Sequence, residues 1–342
     1  MNKLHIGTWN VRTLLQPGKM QELAAELEKT TLEIVAIQET RWSKNGIINK
    51  KVYALFYSGS ENQIGQAGTG FLVKKGTLQY IIDFSPINER ICSLRVKGKY
   101  NNITLINAYA PTEEKDILMK EQFYDNLQKT FEKVAKSDTI ITLGDFNTQV
   151  GIERAFCKVT GKHTLHEDTN ENGQMLCDFA IVNNLIIMST QFMHKRIHKG
   201  TWISPDQTTL NQIDHVLINF NKKDMIEDVR SMRGPNIDSD HFLLSVRIKQ
   251  KLPFTYRNKS RQITKIVKWN KNNIQNPLKL KQYKKSIHDK LELIPDNQSI
   301  NEEWESIKST ILDVANEVIQ KQEKPTRNQW RKLSKIRTLQ GK

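Results

Sequence analysis

Ile140-Ile141-Thr142-Leu143-Gly144-Asp145-Phe146-Asn147 is an apolar run that stops at a glycine and then delivers two polar side chains. On an extended chain, residues i and i+2 point to the same side. Asp145 and Asn147 are therefore expected to project together from a strand end, with Phe146 turned the other way into a core. Strand ends beside loops are where open α/β sheets keep their sites. An Asp there can take a proton from water or hold that water in line with a reacting centre, and an Asn amide can support it. The plainer alternative is a turn in which Asp and Asn hydrogen-bond their own backbone.

Working outward, strand-like apolar runs recur at Leu4–Trp9, Ile34–Gln38, Thr69–Val73, Ile91–Val96, Ile103–Tyr109, Thr139–Leu143, Ile213–Ile218 and Phe242–Ile248. Helical patterns lie between them. Met20, Leu23, Ala24 and Leu27 mark one, and Phe123, Leu127 and Phe131 mark a second over about 113–136. A third is expected over about 172–184, with Met175, Phe179 and Val182 on its buried face. This alternation predicts an α/β domain with helices outside packed sheets, and adjacent strand runs add antiparallel pairing.

Other apolar runs also end in functional groups. Glu39 closes Ile34–Gln38, and a carboxylate at a strand end suits magnesium, which keeps several waters and takes one or two protein carboxylates. Asn10 ends Leu4–Trp9, and its carbonyl oxygen can join the same ion or serve only a turn. Asp240 and His241 precede the strand Phe242–Ile248. Asp214, set among aliphatic neighbours, needs a partner for its charge and is the natural carboxylate to orient His241. Tyr109 precedes Ala110-Pro111 and can donate to a phosphate oxygen or fill a core. Trp202 beside a turn can stack on a base or half-bury in the fold. His163, His166, His194 and His198 lie in polar segments expected to be exposed, and take no role.

At 342 residues the chain exceeds one ordinary domain, though a single α/β domain can reach roughly 250. The net charge of +15 is unevenly placed. Residues 251–342 hold 21 Lys+Arg against 9 Asp+Glu, whereas residues 1–250 hold 31 against 28. The expected organisation is a domain over 1–250 followed by a basic, mainly helical extension over 251–342. The stretch from Pro253 to about Leu280 reads as a linker, and Trp304, Ile307, Ile311, Val314 and Val318 as a helical stripe. Such a tail suits a phosphate backbone, or else is a solvated linker. Cys92, Cys157 and Cys177 show no metal-ligand spacing and read as reduced thiols. No run approaches the roughly 20 apolar residues of a membrane helix. The first residues enter a strand pattern without the apolar core of a signal peptide, so a soluble, non-secreted protein is expected.

Thr8-Trp9-Asn10, Gln38-Glu39-Thr40, Asn107 to Thr112, Gly144 to Asn147, Gln212 to His215 and Ser239-Asp240-His241 stand in one order. The set resembles the endonuclease/exonuclease/phosphatase superfamily, whose fold is a four-layered α/β sandwich of two mixed sheets flanked by helices. The resemblance implies that Asn10, Glu39 and Asp240 surround magnesium, with manganese as its substitute. It implies that Asp145 activates water with support from Asn147, and that His241, oriented by Asp214, and Tyr109 stabilise the phosphate. Thr112, Arg41 and Trp202 are the expected substrate contacts.

Thr8–Thr13, Gln38–Trp42 and Asn211–Val216 look like the endonuclease domain of non-long-terminal-repeat (LINE-type) retrotransposons, in the group of craniofacial development protein 2-like proteins. That likeness implies nicking of double-stranded DNA in the nucleus, with some protein in the cytoplasm, and element RNA as a candidate partner for the basic tail. Arg12 and Thr112 stand where abasic-site endonucleases carry an acidic residue and Asn, which argues against abasic-site specificity. No reverse-transcriptase signature occurs, so a truncated element or a domesticated nuclease is expected. The competing readings are a phosphatase or lipid phosphodiesterase of the same superfamily, and a silent DNA- or chromatin-binding relic.

Overall fold

The computed structural model describes residues 3–61, 65–253, 270, 273, 275–293 and 300–320. The chain divides into two units, Met1–Phe254 and Thr255–Lys342. In the first, one sheet contains β1 (Lys3–Asn10), β2 (Ile34–Gln38), β3 (Asn45–Asn49), β4 (Tyr53–Ser58), β5 (Thr69–Lys74), β14 (Ile226–Met232) and β15 (Leu243–Lys251). Its order is β14-β15-β1-β2-β5-β4-β3. The second sheet contains β6 (Ile81–Pro86), β7 (Ile91–Val96), β8 (Ile103–Tyr109), β9 (Thr139–Asp145), β10 (Leu185–Ile187) and β13 (Asp214–Asn219), in the order β10-β13-β9-β8-β7-β6. A small hairpin, β11 (Trp202–Ile203) and β12 (Leu210–Asn211), stands apart. β1 runs parallel to β2 and β8 to β9, and the other pairings among the described strands are antiparallel, so both sheets are mixed.

Three apolar clusters make four layers. Leu4, Ile6, Phe71, Leu94, Leu143 and Val246 fill the space between the sheets. Helix α1 (Lys19–Glu28) buries Leu23, Ala24 and Leu27 on the outer face of the first sheet. Helices α2 (Ile117–Glu132) and α3 (Glu171–Val182) cover the second, with Phe123, Leu127, Leu176 and Phe179 against Ile106, Ile140 and Leu217. Each strand alternates faces, so the same apolar residues that pattern the strands also separate the inner core from the two outer ones. The predicted α/β sandwich is the observed fold. No helix among the described residues is long and apolar enough to cross a membrane.

Several local expectations differ. The buried face of α3 carries Gly173, Leu176, Cys177, Phe179 and Ala180, while Val182 is 75% exposed. Asn170 caps this helix, accepting from the Gly173 amide, and the helix begins at Glu171. Strands β3, β4, β6, β10, β11, β12 and β14 fall outside the apolar runs that the sequence shows. β3 alternates exposed and half-buried residues at a sheet edge, so it lacks an apolar signature. Of the expected linker, residues 254–269, 271, 272 and 274 lie outside the described residues. Its far end is helix: α5 (Pro277–Leu291) begins at an Asn276 cap with Pro277 in the first turn. α4 (Arg196–Lys199) is a single turn, and α6 (Ile300–Val314) carries the expected stripe. Val314 is buried there, whereas Trp304 is 62% exposed.

β13 also buries a histidine that the sequence did not flag. His215 lies between the Ser189 hydroxyl, 2.8 Å from Nδ1, and the Thr148 carbonyl, 3.2 Å from Nε2. The carbonyl can only accept, so Nε2 carries the proton and Nδ1 accepts from Ser189, leaving the ring neutral. Burial pushes the ring's pKa down to about 4. An unfolded His titrates near 6.5, so the unfolded chain takes up the proton first and stability falls as pH drops from about 6.5 toward 4. Between pH 7 and 5 this group should cost about 2 kcal/mol. Urea unfolding of wild type and His215→Gln at both pH values should show that difference, and parallel pH dependences would refute it.

Candidate active site

The C-terminal ends of β1, β2, β8 and β9 meet the start of β13 and the approach to β15 at one edge of the sandwich. A cleft of about 360 Å³ opens there, lined by Glu39, Arg41, Tyr109, Thr112, Asp145, Asn147, Trp202, Asp240 and His241. Asn10 and Asp214 sit behind it, each 1% exposed. All eleven residues singled out in the sequence thus come to one place.

The centre is a row of buried charge. Strand register sets Asp145 opposite Asp214 and beside Tyr109. His241 Nδ1 lies 3.0 Å from Asp214 Oδ2, and its Nε2 lies 3.8 Å from Asp145 Oδ2. Against the burial that opposes its charge, His241 is pushed up to about 9 by Asp214 and Asp145. Asp145 moves up to about 7, first through burial and then through Asp214, with His241 and the Asn10 amide opposing. An imidazolium between two carboxylates is the arrangement that keeps all three in a solvent-poor site. The backbone around them is tied down. Ser239 Oγ donates to the Asn10 carbonyl and accepts from the His241 amide, and Trp9 Nε1 donates to the His241 carbonyl. The Thr201 hydroxyl accepts the amides of Ile213 and Asp214.

Glu39 enters from the other sheet. Its Oε1 accepts from the Tyr109 hydroxyl at 3.0 Å and from Asn10 Nδ2 at 2.9 Å, and its Oε2 accepts from Arg41. Asn10 Nδ2 also donates to Asp145 Oδ2 at 2.9 Å, so one amide joins carboxylates from both sheets. This corrects the expectation for Asn10: its carbonyl oxygen accepts the Arg12 amide, and its nitrogen faces the acids. Tyr109 points its proton at Glu39 rather than into open cleft, and burial followed by the Glu39 charge raises its pKa well above the phenol range. Asn147 adopts φ 49 instead of extended backbone, donating its amide to Asp145 Oδ1 and its Nδ2 to the Ala110 carbonyl. Trp202 donates to Asp240 Oδ2 at 3.2 Å, so its indole nitrogen serves the acid and does not by itself indicate stacking.

The donor set fits a hard divalent cation. Asp145, Asp214 and His241 each offer one ligand atom within 4.8 Å of the others. That trio differs from the sequence-derived set of Asn10, Glu39 and Asp240, which line or back the same cleft. The carboxylates of Glu39, Asp145 and Asp240 line the cleft as hard oxygen donors, while Asp214 holds His241 through Oδ2. Asp214 Oδ1 is buried without a partner among the described residues, which marks the cluster as incomplete by itself.

Sequence reasoning missed Arg12, Glu113, Gln149, Asn170 and Asn211, which also line the cleft. Glu113 accepts from the Glu171 and Asn172 amides and so occupies the N-terminus of α3, a contact no local motif announces. His163, His166, His194 and His198 are half-buried, contrary to expectation. His194 pairs with Asp228 at 2.7 Å, away from the cleft.

Residues 7–241 match the model of the Endonuclease/Exonuclease/phosphatase family. The chain belongs to that family. Members are typically hydrolases of phosphodiester bonds. Craniofacial development protein 2 of Tragulus javanicus is 32% identical over 247 residues, 72% of this chain and 42% of that protein. The chain thus spans about 42% of the length of that curated relative. The endonuclease domain of TRAS1, a telomere-specific non-LTR retrotransposon, shares the fold with a TM-score of 0.51 at 16% identity, over 72% of this chain and 98% of that one. The catalytic domain of Xenopus laevis APE2 gives 0.56 at 17%, over 74% and 94%.

The charge row makes a spectroscopic prediction that needs no substrate. In wild type, the His241 imidazole should titrate near 9 by NMR. In Asp214→Asn the main raising charge is gone while burial remains, so the midpoint should fall by more than about one unit. An unchanged midpoint would remove Asp214 as the group that sets the imidazole's charge.

Proposed function

We propose that this chain is a divalent-metal-dependent DNA endonuclease that nicks one strand of double-stranded DNA, leaving 3′-hydroxyl and 5′-phosphate ends. The observation that carries the reading is the row Asp145–His241–Asp214, joined through Asn10 to Glu39 on the facing sheet. Asp145 has a basicity raised to about 7, suited to receiving a proton from water near neutral pH. The Asn147 amide holds that carboxylate through Oδ1 and fixes its direction. His241, charged and oriented by Asp214, presents Nε2 toward the cleft and stabilises negative charge on the phosphate. Tyr109 keeps its proton and secures Glu39. Glu39 and Asp240, beside Asp145, would hold a magnesium or manganese ion, and that ion would supply Lewis-acid withdrawal of phosphate charge. Water attacks phosphorus in line, its proton passes toward Asp145, and the P–O3′ bond breaks, with the leaving oxygen taking a proton from solvent to become the 3′-hydroxyl.

The likeness to a retrotransposon endonuclease domain supports DNA as substrate, and with it use in target-primed reverse transcription. Arg41, Thr112 and Trp202 line the cleft mouth as substrate contacts. We assign residues 1–250 as the nuclease domain and 251–342 as a basic extension that adds salt-sensitive affinity for DNA or element RNA. Nuclear location follows from a chromosomal substrate.

Supercoiled plasmid incubated with magnesium should yield relaxed circles, and EDTA should abolish them. Asp145→Ala and His241→Ala should each lower the rate by at least about 10³, because residues acting as a unit fail together. Intact plasmid beside cleaved inositol phosphates or sphingomyelin would replace this reading with a phosphatase or lipid phosphodiesterase.

A further inference from the structure

The acids of the cleft stand on different sheets, Glu39 just after β2 and Asp145 at the end of β9. Aliphatic contacts hold the sheets together, but such contacts are non-directional and do not by themselves fix a register to tenths of an ångström. Immediately behind the cleft, a directional link crosses the gap. Asn107 on β8 is fully buried and reaches from its own sheet to the other. Its Nδ2 donates to the carbonyls of Ile37 at 2.9 Å and Gly70 at 2.8 Å, which face each other across β2 and β5. Its Oδ1 accepts from Gln38 Nε2 at 2.6 Å, and the same nitrogen reaches Thr8 Oγ1 at 2.9 Å.

The amide orientations are forced. Backbone carbonyls only accept, so the Asn107 nitrogen faces them, its oxygen faces Gln38, and the Gln38 nitrogen faces that oxygen. Gln38 Oε1 is left buried with no partner among the described residues. An orphaned buried acceptor costs about 1–3 kcal/mol, which an all-apolar filling at this level would avoid. Its retention beside the cleft calls for a role that packing does not supply.

We infer that Asn107 and Gln38 are positioning residues that set the spacing between the Glu39 and Asp145 halves of the site. Glu39 directly follows Gln38 at φ 56, past the last β1–β2 pair, so strand pairing no longer holds it. Two residues along β8 from Asn107, on the same face, Tyr109 donates to Glu39. One strand of the second sheet therefore grips the Glu39 segment twice, at the preceding side chain and at the carboxylate. The inference rests on the metal-dependent reading proposed above.

The test uses the whole chain carrying Asn107→Leu with Gln38→Met, which replaces both partners by apolar groups of similar size. Circular dichroism reports folding, electron paramagnetic resonance reports Mn2+ binding without substrate, and plasmid nicking reports kcat and KM. The folded double variant should bind Mn2+ about tenfold more weakly and lose about 100-fold in kcat, with plasmid KM changed by less than about twofold. Wild-type Mn2+ affinity and kcat in that variant would overturn the inference alone. If the double variant does not fold, Gln38→Met, which keeps the Asn107 bonds to backbone, is held to the same two criteria. A wild-type chain that binds no Mn2+ would instead defeat the metal-dependent reading, and the inference with it.

Discussion

Two carboxylates that face each other across β9 and β13, each 1% exposed, are the arrangement around which the site is organised. Placed alone, they would repel, and one would stay protonated. The His241 cation resolves the conflict, but only if its ring lies between them. That requirement reaches far into the fold. It fixes the backbone through Trp9 and Ser239, draws the segment before β15 onto the end of β1, and demands that the two sheets meet at a set separation. The inner apolar layer supplies the energy for that meeting, and the polar residues above it supply the geometry.

How much of this was legible in the sequence follows from what each segment has to satisfy. β2, β7 and β8 were read with their observed bounds because each is buried and ends in turn chemistry. β3 and β14 escaped because they lie on sheet edges and mix polar with apolar residues, and β10 because it is only three residues long. Asp145, Asp214 and His241 were found because a charged residue beside an apolar run needs an explanation. Their mutual distances were not legible, since register between strands 69 residues apart is a tertiary fact. Asn10 shows the limit most clearly. Its place in the site followed from the strand end, but which end of its amide faces the acids depends on the Arg12 backbone.

The cleft also concentrates unusual backbone. Arg12, Glu39, Arg41 and Asn147 all take positive φ, between 49 and 61, though none is glycine. Each follows the last residue of a strand within a few positions, so the chain turns sharply at the point where pairing stops. Such conformations cost of order 1–3 kcal/mol each and persist where surrounding contacts over-determine them. Here the surrounding contacts are the hydrogen bonds of the site itself: Arg12 to Asn10, Arg41 to Glu39, and Asn147 to Asp145. Strain and polar network therefore occupy the same few residues.

The pairing of β1 with β15 has a consequence in time. The first strand finds one neighbour early, in β2, and its other only in β15, and Asn10 and His241 are separated by most of the domain. During synthesis, the acids of the early strands emerge while the imidazole that makes them usable is still unmade. A partial chain lacks both the counter-ion for those acids and the strand that closes the first sheet. The charge row is thus completed in a single step, when β15 docks and brings His241 between the two acids.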